Sequence, residues 1–259
     1  MPVELHYREA GDPVLPALIL LHGLFGSSAN WMGIVKRLEK QFHLIVPDSR
    51  NHGRSPHTVE MDYPSMADDL LALMDRLHLD TAYLLGHSMG GKVAMWLALN
   101  RSERVEKLVV ADIAPVTYPD HFQPLLQAMS GLDMERLAGR GAADTLLSES
   151  VPSLEVRQYL LQNLVKVGNH WQWRLNLSGL QCAMPELLGF PDVAAARFPG
   201  TALFIHGGNS DYVSPDSRPV IKTLFPYARM RQLTGAGHWL YAEQPDTFSR
   251  QVRLFLSNR

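Results

Sequence analysis

The chain has 259 residues, with 24 Lys and Arg against 26 Asp and Glu for a formal net charge of −2. There is no basic block or acidic tail, which argues against nucleic acid and anionic membranes as partners. A hydrophobic content of 46% and a charged content of 19% are those of an ordinary globular protein, and the length suits one α/β domain with an insertion. The lone cysteine, Cys182, excludes an intrachain disulfide. Met1–His6 lacks the basic-then-apolar pattern of a secretory signal, and no apolar run is long enough to span a bilayer, so a cytoplasmic enzyme is expected.

In chain order, strand-like apolar runs alternate with amphipathic stretches. Val3–Arg8 suits an edge strand and Ala17–Leu21 a buried one. Asn30–Glu39 has helical spacing, and His43–Val46 is a further strand. A helix to Leu77 carries Met66, Leu70, Leu73, Met74 and Leu77 on one face, with Ser65 as its expected N-cap. Thr81–Leu85 and Val105–Ala111 are continuous apolar strands, followed late in the chain by Thr201–Ile205 and Met230–Leu233. Thr247–Leu256 closes the chain as a helix. Strands separated by helices predict a mostly parallel sheet covered on both faces.

Residues 115–198 break this rhythm. Helices are expected over Phe122–Met129, Met134–Ser148 and Leu154–Val167, with no strand. The segment leaves the sheet beside Asp112, at the carboxyl end of a strand, where open α/β sheets bind ligands. The expected organisation is a core of residues 1–114 and 199–259, with a helical cap over 115–198.

Gly86-His87-Ser88-Met89-Gly90 spells G-x-S-x-G between an apolar strand and the helical run Gly91–Leu99. A strand, a sharp turn and a helix make a nucleophile elbow, which strains the serine backbone and lifts its Oγ clear of the sheet. Small flanking residues allow the close approach. A serine hydroxyl needs a base, and His238, in Gly235-Ala236-Gly237-His238 after the last strand, follows in the chain order of such enzymes. The expected oxyanion donors are the backbone N–H groups of Met89, next to the nucleophile, and of Leu24, in the loop His22-Gly23-Leu24-Phe25-Gly26. Phe25, Trp239, Phe122 and Trp171 are candidate pocket residues; Phe122, Trp171, Leu126 and Trp173 also suit an ordinary core. The spacing of His22, His52 and His87 matches no metal-ligand pattern, and no nucleotide motif is present, so neither metal nor cofactor is expected.

The strings His22–Ser27, Asp48-Ser49-Arg50-Asn51-His52-Gly53-Arg54-Ser55, Gly86–Lys92, Asp112–Val116, Gly207-Gly208-Asn209-Ser210 and Gly237-His238-Trp239 resemble the α/β-hydrolase superfamily. The likeness is to small bacterial esterases of the YbfF type and their abhydrolase-domain relatives, and it covers nearly the whole chain. It implies an α/β-hydrolase fold and a cofactor-free carboxylesterase for short or medium acyl chains, thioesters included. Many members carry the triad acid as G-x-x-D-x-x-V after the penultimate strand. Here that slot, in Gly207–Val213, holds Ser210, with Asp211 one residue late. Register favours Asp112 as the acid, with Asp211 the alternative. A C–C bond hydrolase or lyase, or a non-catalytic ligand-binding protein, is compatible with the same scaffold.

Overall fold

A computed structural model describes residues 1–194 and 196–257; Ala195, Asn258 and Arg259, within the expected cap and core segments, lie outside the described residues. The strands are β1 (Tyr7–Ala10), β2 (Ala17–Leu21), β3 (His43–Pro47), β4 (Ala82–His87), β5 (Val105–Ala111), β8 (Thr201–Gly207) and β9 (Ala228–Leu233). They form one sheet in the order β1-β3-β2-β4-β5-β8-β9. Only β1 runs antiparallel.

The central strands read as unbroken apolar runs because both faces are covered. The two-residue period of a strand divides them between two cores. Ile19, Leu21, Leu108 and Val110 face one, with α2 (Tyr63–Arg76), α3 (Met89–Asn100) and α8 (Arg218–Leu224) packed on it. Leu18, Leu20, Val109 and Ala111 face the other, against α1 (Met32–Leu38) and α10 (Pro245–Ser257). Between them lies α9 (Leu240–Glu243) of the same second core. No helix among the described residues is long and apolar enough to cross a membrane.

Two local expectations are corrected. The N-cap of α2 is Asp62, whose side chain accepts from Ser65 N at 2.7 Å; Pro64, with its preset φ, starts the helix earlier than Ser65. The edge strand begins at Tyr7 rather than Val3, where it gains β3 as partner.

Residues 115–198 leave the sheet after β5 and rejoin it at β8. They form α4 (Gln123–Ser130), α5 (Arg140–Leu147), α6 (Leu154–Leu161), α7 (Leu177–Leu188) and, against expectation, a hairpin of β6 (Leu164–Val167) and β7 (His170–Trp173). Leu160, Leu161 and Leu164 mimic a continuing helical face, which hides the break at Gln162. The hairpin is made by Gly168, at φ 59°, with Asn169 in a two-residue turn. The predicted helix from Met134 is likewise shorter, starting after Gly139. Leu137, Ala143, Leu147, Leu161 and Leu164 make a satellite core under this segment.

Candidate active site

Ser88 stands between β4 and α3 with φ 52° and ψ −120°, a backbone conformation that a side-chain-bearing residue adopts only when its surroundings compel it. Its N–H donates to Ala111 O at 3.1 Å. A Cβ at Gly86 would run into Gly90 O, one at Gly90 into Leu21 O, and one at Gly91 would lie 2.6 Å from Ile113 Cγ2. The three glycines are therefore demanded by the packing of the turn between β2, β4 and α3. Met89, at the first turn of α3, has an N–H that helix geometry leaves without an intrahelical acceptor.

Asp112 follows β5 directly and is fully buried. Its backbone is held at φ 52° by a bond from its N–H to Ile205 O at 2.8 Å. Oδ1 accepts from Gly207 N at 3.0 Å; Oδ2 accepts from His238 Nδ1 at 2.7 Å and from the Ser210 hydroxyl. A buried carboxylate facing Nδ1 fixes the proton there and leaves Nε2 bare. Tyr212 lies flat against the His238 ring, 4.0 Å between centroids and 20° from parallel. Asp211 is exposed and makes no hydrogen bond to His238 among the described residues. Ser88 and His238 line the same chamber, without a hydrogen bond between them among the described residues.

The loop after β2 is braced at nearly every peptide. Buried His22 donates from Nδ1 to Gly23 O at 2.8 Å and accepts at Nε2 from Ser49 N at 3.0 Å. Buried His52 donates from Nδ1 to Arg50 O at 2.9 Å and accepts at Nε2 from Phe25 N at 3.2 Å. Tyr159 Oη donates to Leu24 O at 3.0 Å and Asn163 Nδ2 to Phe25 O at 2.7 Å. Neither Gly23 N–H nor Leu24 N–H has an acceptor among the described residues. A Cβ on Gly23 would come within 3.2 Å of Ser88 Cβ, so the loop lies against the elbow.

Burial holds His22 below its ordinary value, pushes His52 down to about 3, and keeps His87 well below the usual histidine range. His22 and His52 each accept an N–H at Nε2, which only a neutral imidazole can do. His87 donates from Nε2 to His238 O at 2.8 Å, tying the elbow to the histidine loop. The Asp48–Ser55 string is scaffolding: Asp48 accepts from Ser28 N at 2.6 Å and Arg54 N at 2.9 Å, and Gly53, at φ 58°, leaves room for that carboxylate. Arg50 forks onto Asp69 at 2.7 and 2.8 Å, both side chains buried.

Leu24, Phe25, Phe122 and Trp239 line the cavity at Ser88. Trp171 does not. Its place on β7 puts it against the satellite core. Leu126 is buried in the main core, and Trp173 Nε1 donates to Met129 O at 3.0 Å. Ser210, Tyr159, Asn163 and Tyr212 were not singled out for these contacts in the sequence. Only Ser210 left a signal, by standing in the slot where an acid is usual.

The geometry of a strained serine after a parallel strand, with a carboxylate-paired histidine on the same rim, defines a hydrolase class, and comparison agrees. Residues 16–245 match the family model described as the alpha/beta hydrolase fold. The chain is 40% identical over 265 residues to the sn-1-specific diacylglycerol lipase ABHD11 of Mus musculus, covering 99% of this chain and 86% of that one. It is 38% identical to Esterase YbfF of Escherichia coli (strain K12), over 93% of each. A solved marine microorganism esterase superposes with a TM-score of 0.95 at 35% identity, covering 98% of this chain and 99% of that one. The chain belongs to the α/β-hydrolase family. Within it, the protein is a serine hydrolase of the esterase and lipase type.

Proposed function

We propose a carboxylesterase that hydrolyses short- to medium-chain acyl esters, thioesters included, through an acyl-serine intermediate. The observation that carries this reading is the bond from His238 Nδ1 to the buried Asp112 carboxylate, on an imidazole that shares a chamber with Ser88. His238 Nε2, left bare, takes the Ser88 proton as Oγ attacks the ester carbonyl. The imidazolium so formed is stabilised by Asp112. Negative charge gathers on the carbonyl oxygen and is met by Leu24 N–H and Met89 N–H, neither of which has another acceptor among the described residues. His238 then protonates the departing alcohol, and water attacks the acyl-serine by the reverse proton path.

Residues 115–198 act as the cap. This is supported by Phe122, Leu125, Val156, Tyr159 and Leu160, which line the same chamber as Ser88. The test is Ser88→Ala, assayed on p-nitrophenyl esters and acyl-CoA thioesters, with a fluorophosphonate probe on the wild type. Turnover should fall roughly a millionfold, as for a triad that works as a unit, and the probe should label Ser88. Comparable turnover by the mutant would refute the serine mechanism.

A further inference from the structure

The cavity at Ser88 has two arms. Ser88, Leu24, Phe122 and Tyr212 border both. The larger arm, about 180 Å³, runs past His238 and Trp239 between Phe25 and Tyr159. The smaller, about 30 Å³, runs past Met89 toward Lys92, Tyr63 and Leu188. Proton flow tells the arms apart. The oxygen that leaves with the alcohol must receive its proton from His238, so the alcohol lies on the side of the imidazole. Of the two arms, only the larger is lined by His238 among the described residues.

We propose that the small arm holds the acyl group and the large, aromatic arm holds the alcohol, so that the preferred substrates are short-chain acyl esters of larger apolar alcohols. This rests on the serine esterase reading above. A volume of about 30 Å³ has room for roughly two or three acyl atoms beyond the carbonyl.

The small arm is short because its far wall is clamped. Lys92 sits one turn after Ser88 on α3, and its Nζ donates to Leu188 O at 2.9 Å and Gly189 O at 2.5 Å. It lies 4.8 Å from the Tyr118 ring centroid and 5.6 Å from that of Tyr63. Tyr63 Oη donates to Leu187 O at 2.6 Å, and Leu188 O also accepts from Tyr118 N at 3.0 Å. Lys92, Tyr63 and Tyr118 thus converge on the carbonyl end of α7. Leu187 and Leu188, which the clamp holds, line the small arm.

The experiment uses isomeric esters, in which the same atoms are divided differently. Hexyl acetate is set against ethyl hexanoate, and benzyl propionate against ethyl phenylacetate, each kcat/KM divided by the alkaline hydrolysis rate of the same ester. Hexyl acetate and benzyl propionate should be favoured at least about tenfold, the scale on which an apolar pocket rejects surplus methylenes. Equal or reversed preference would overturn the assignment. If no ester is turned over and the fluorophosphonate leaves Ser88 unlabelled, the esterase reading falls and takes this inference with it. Lys92→Met, and Tyr63→Phe should the first fail to fold, should raise kcat/KM for ethyl hexanoate and narrow the first ratio several-fold. A folded variant with an unchanged ratio would show that the clamp does not set acyl length.

Discussion

Ser210 donates its hydroxyl proton to Oδ2 of Asp112, the same oxygen that accepts from His238 at 2.7 Å. The hydroxyl therefore steadies the carboxylate from the position where many relatives of this fold carry the carboxylate itself. Asp112→Asn keeps the shape and removes the charge, so turnover of a short-chain ester should fall by up to about ten-thousandfold. Asp211→Asn, on an exposed side chain, should stay within a few-fold of wild type. Circular dichroism checks that both variants fold, and the reverse ranking would give the role to Asp211.

The peptides of the loop after β2 are held by Tyr159 and Asn163 from the inserted segment. Asn163→Ala frees Phe25 O and loosens the path of Leu24. We expect kcat to fall about tenfold with little change in KM, because an oxyanion donor acts in the transition state rather than on bound substrate. A change confined to KM would show that Asn163 shapes the pocket instead.

His22, His52 and His87 are buried in the native state, and burial holds each below the ordinary 6.5. In the unfolded chain they take protons as pH falls through that value, while in the native protein burial delays their protonation to lower pH. The unfolded state then binds more protons, and stability drops on acidification below about pH 6.5, with a limiting slope near 4 kcal/mol per pH unit for three protons. Urea midpoints between pH 7 and pH 4.5 measure this. His52→Gln should flatten the slope by about one proton's share, and an unaltered slope would mean that His52 is charged in the native protein.

Lys92 is the opposite end of the scale. Burial brings it down to about 7 from its ordinary 10.5. Between those values the unfolded chain holds a proton that the native chain has released, so stability contributed at this site rises with pH over that window, by at most about 1.4 kcal/mol per pH unit. Wild type should gain on Lys92→Met as pH is raised from 7 to 9.5 in urea titrations. Parallel curves would indicate a lysine that stays charged at its two carbonyls.

Much of the core was readable because it depends on local rules. Continuous apolar strands such as Val105–Ala111 announce a doubly covered sheet, and the glycines around Ser88 are required by contacts that leave no room for a Cβ. The juxtaposition of Asp112 and His238 follows from the carboxyl ends of the parallel strands β5 and β9, which flank β8, meeting on one rim. The inserted segment was less readable. Its hairpin was concealed because Leu160, Leu161 and Leu164 keep helical spacing across the break, and Trp171 was misplaced with it. Nothing near Tyr159 or Asn163 in the sequence encodes the loop they reach, since that contact spans more than 130 residues. Which end of the cavity is short depends likewise on the meeting of Lys92 with α7, a tertiary fact.

The two bonds from Tyr159 and Asn163 to the loop after β2 have a consequence for how this fold can be remodelled. An insertion that served only as a roof could be exchanged for that of a relative, and the reaction centre beneath would keep working. Here the inserted segment also holds the loop after β2. A chimera that receives a foreign insertion without a hydroxyl and an amide at these two positions inherits a new pocket and an unsupported Leu24. Grafting specificity onto this core therefore requires carrying the α6 end of the segment intact.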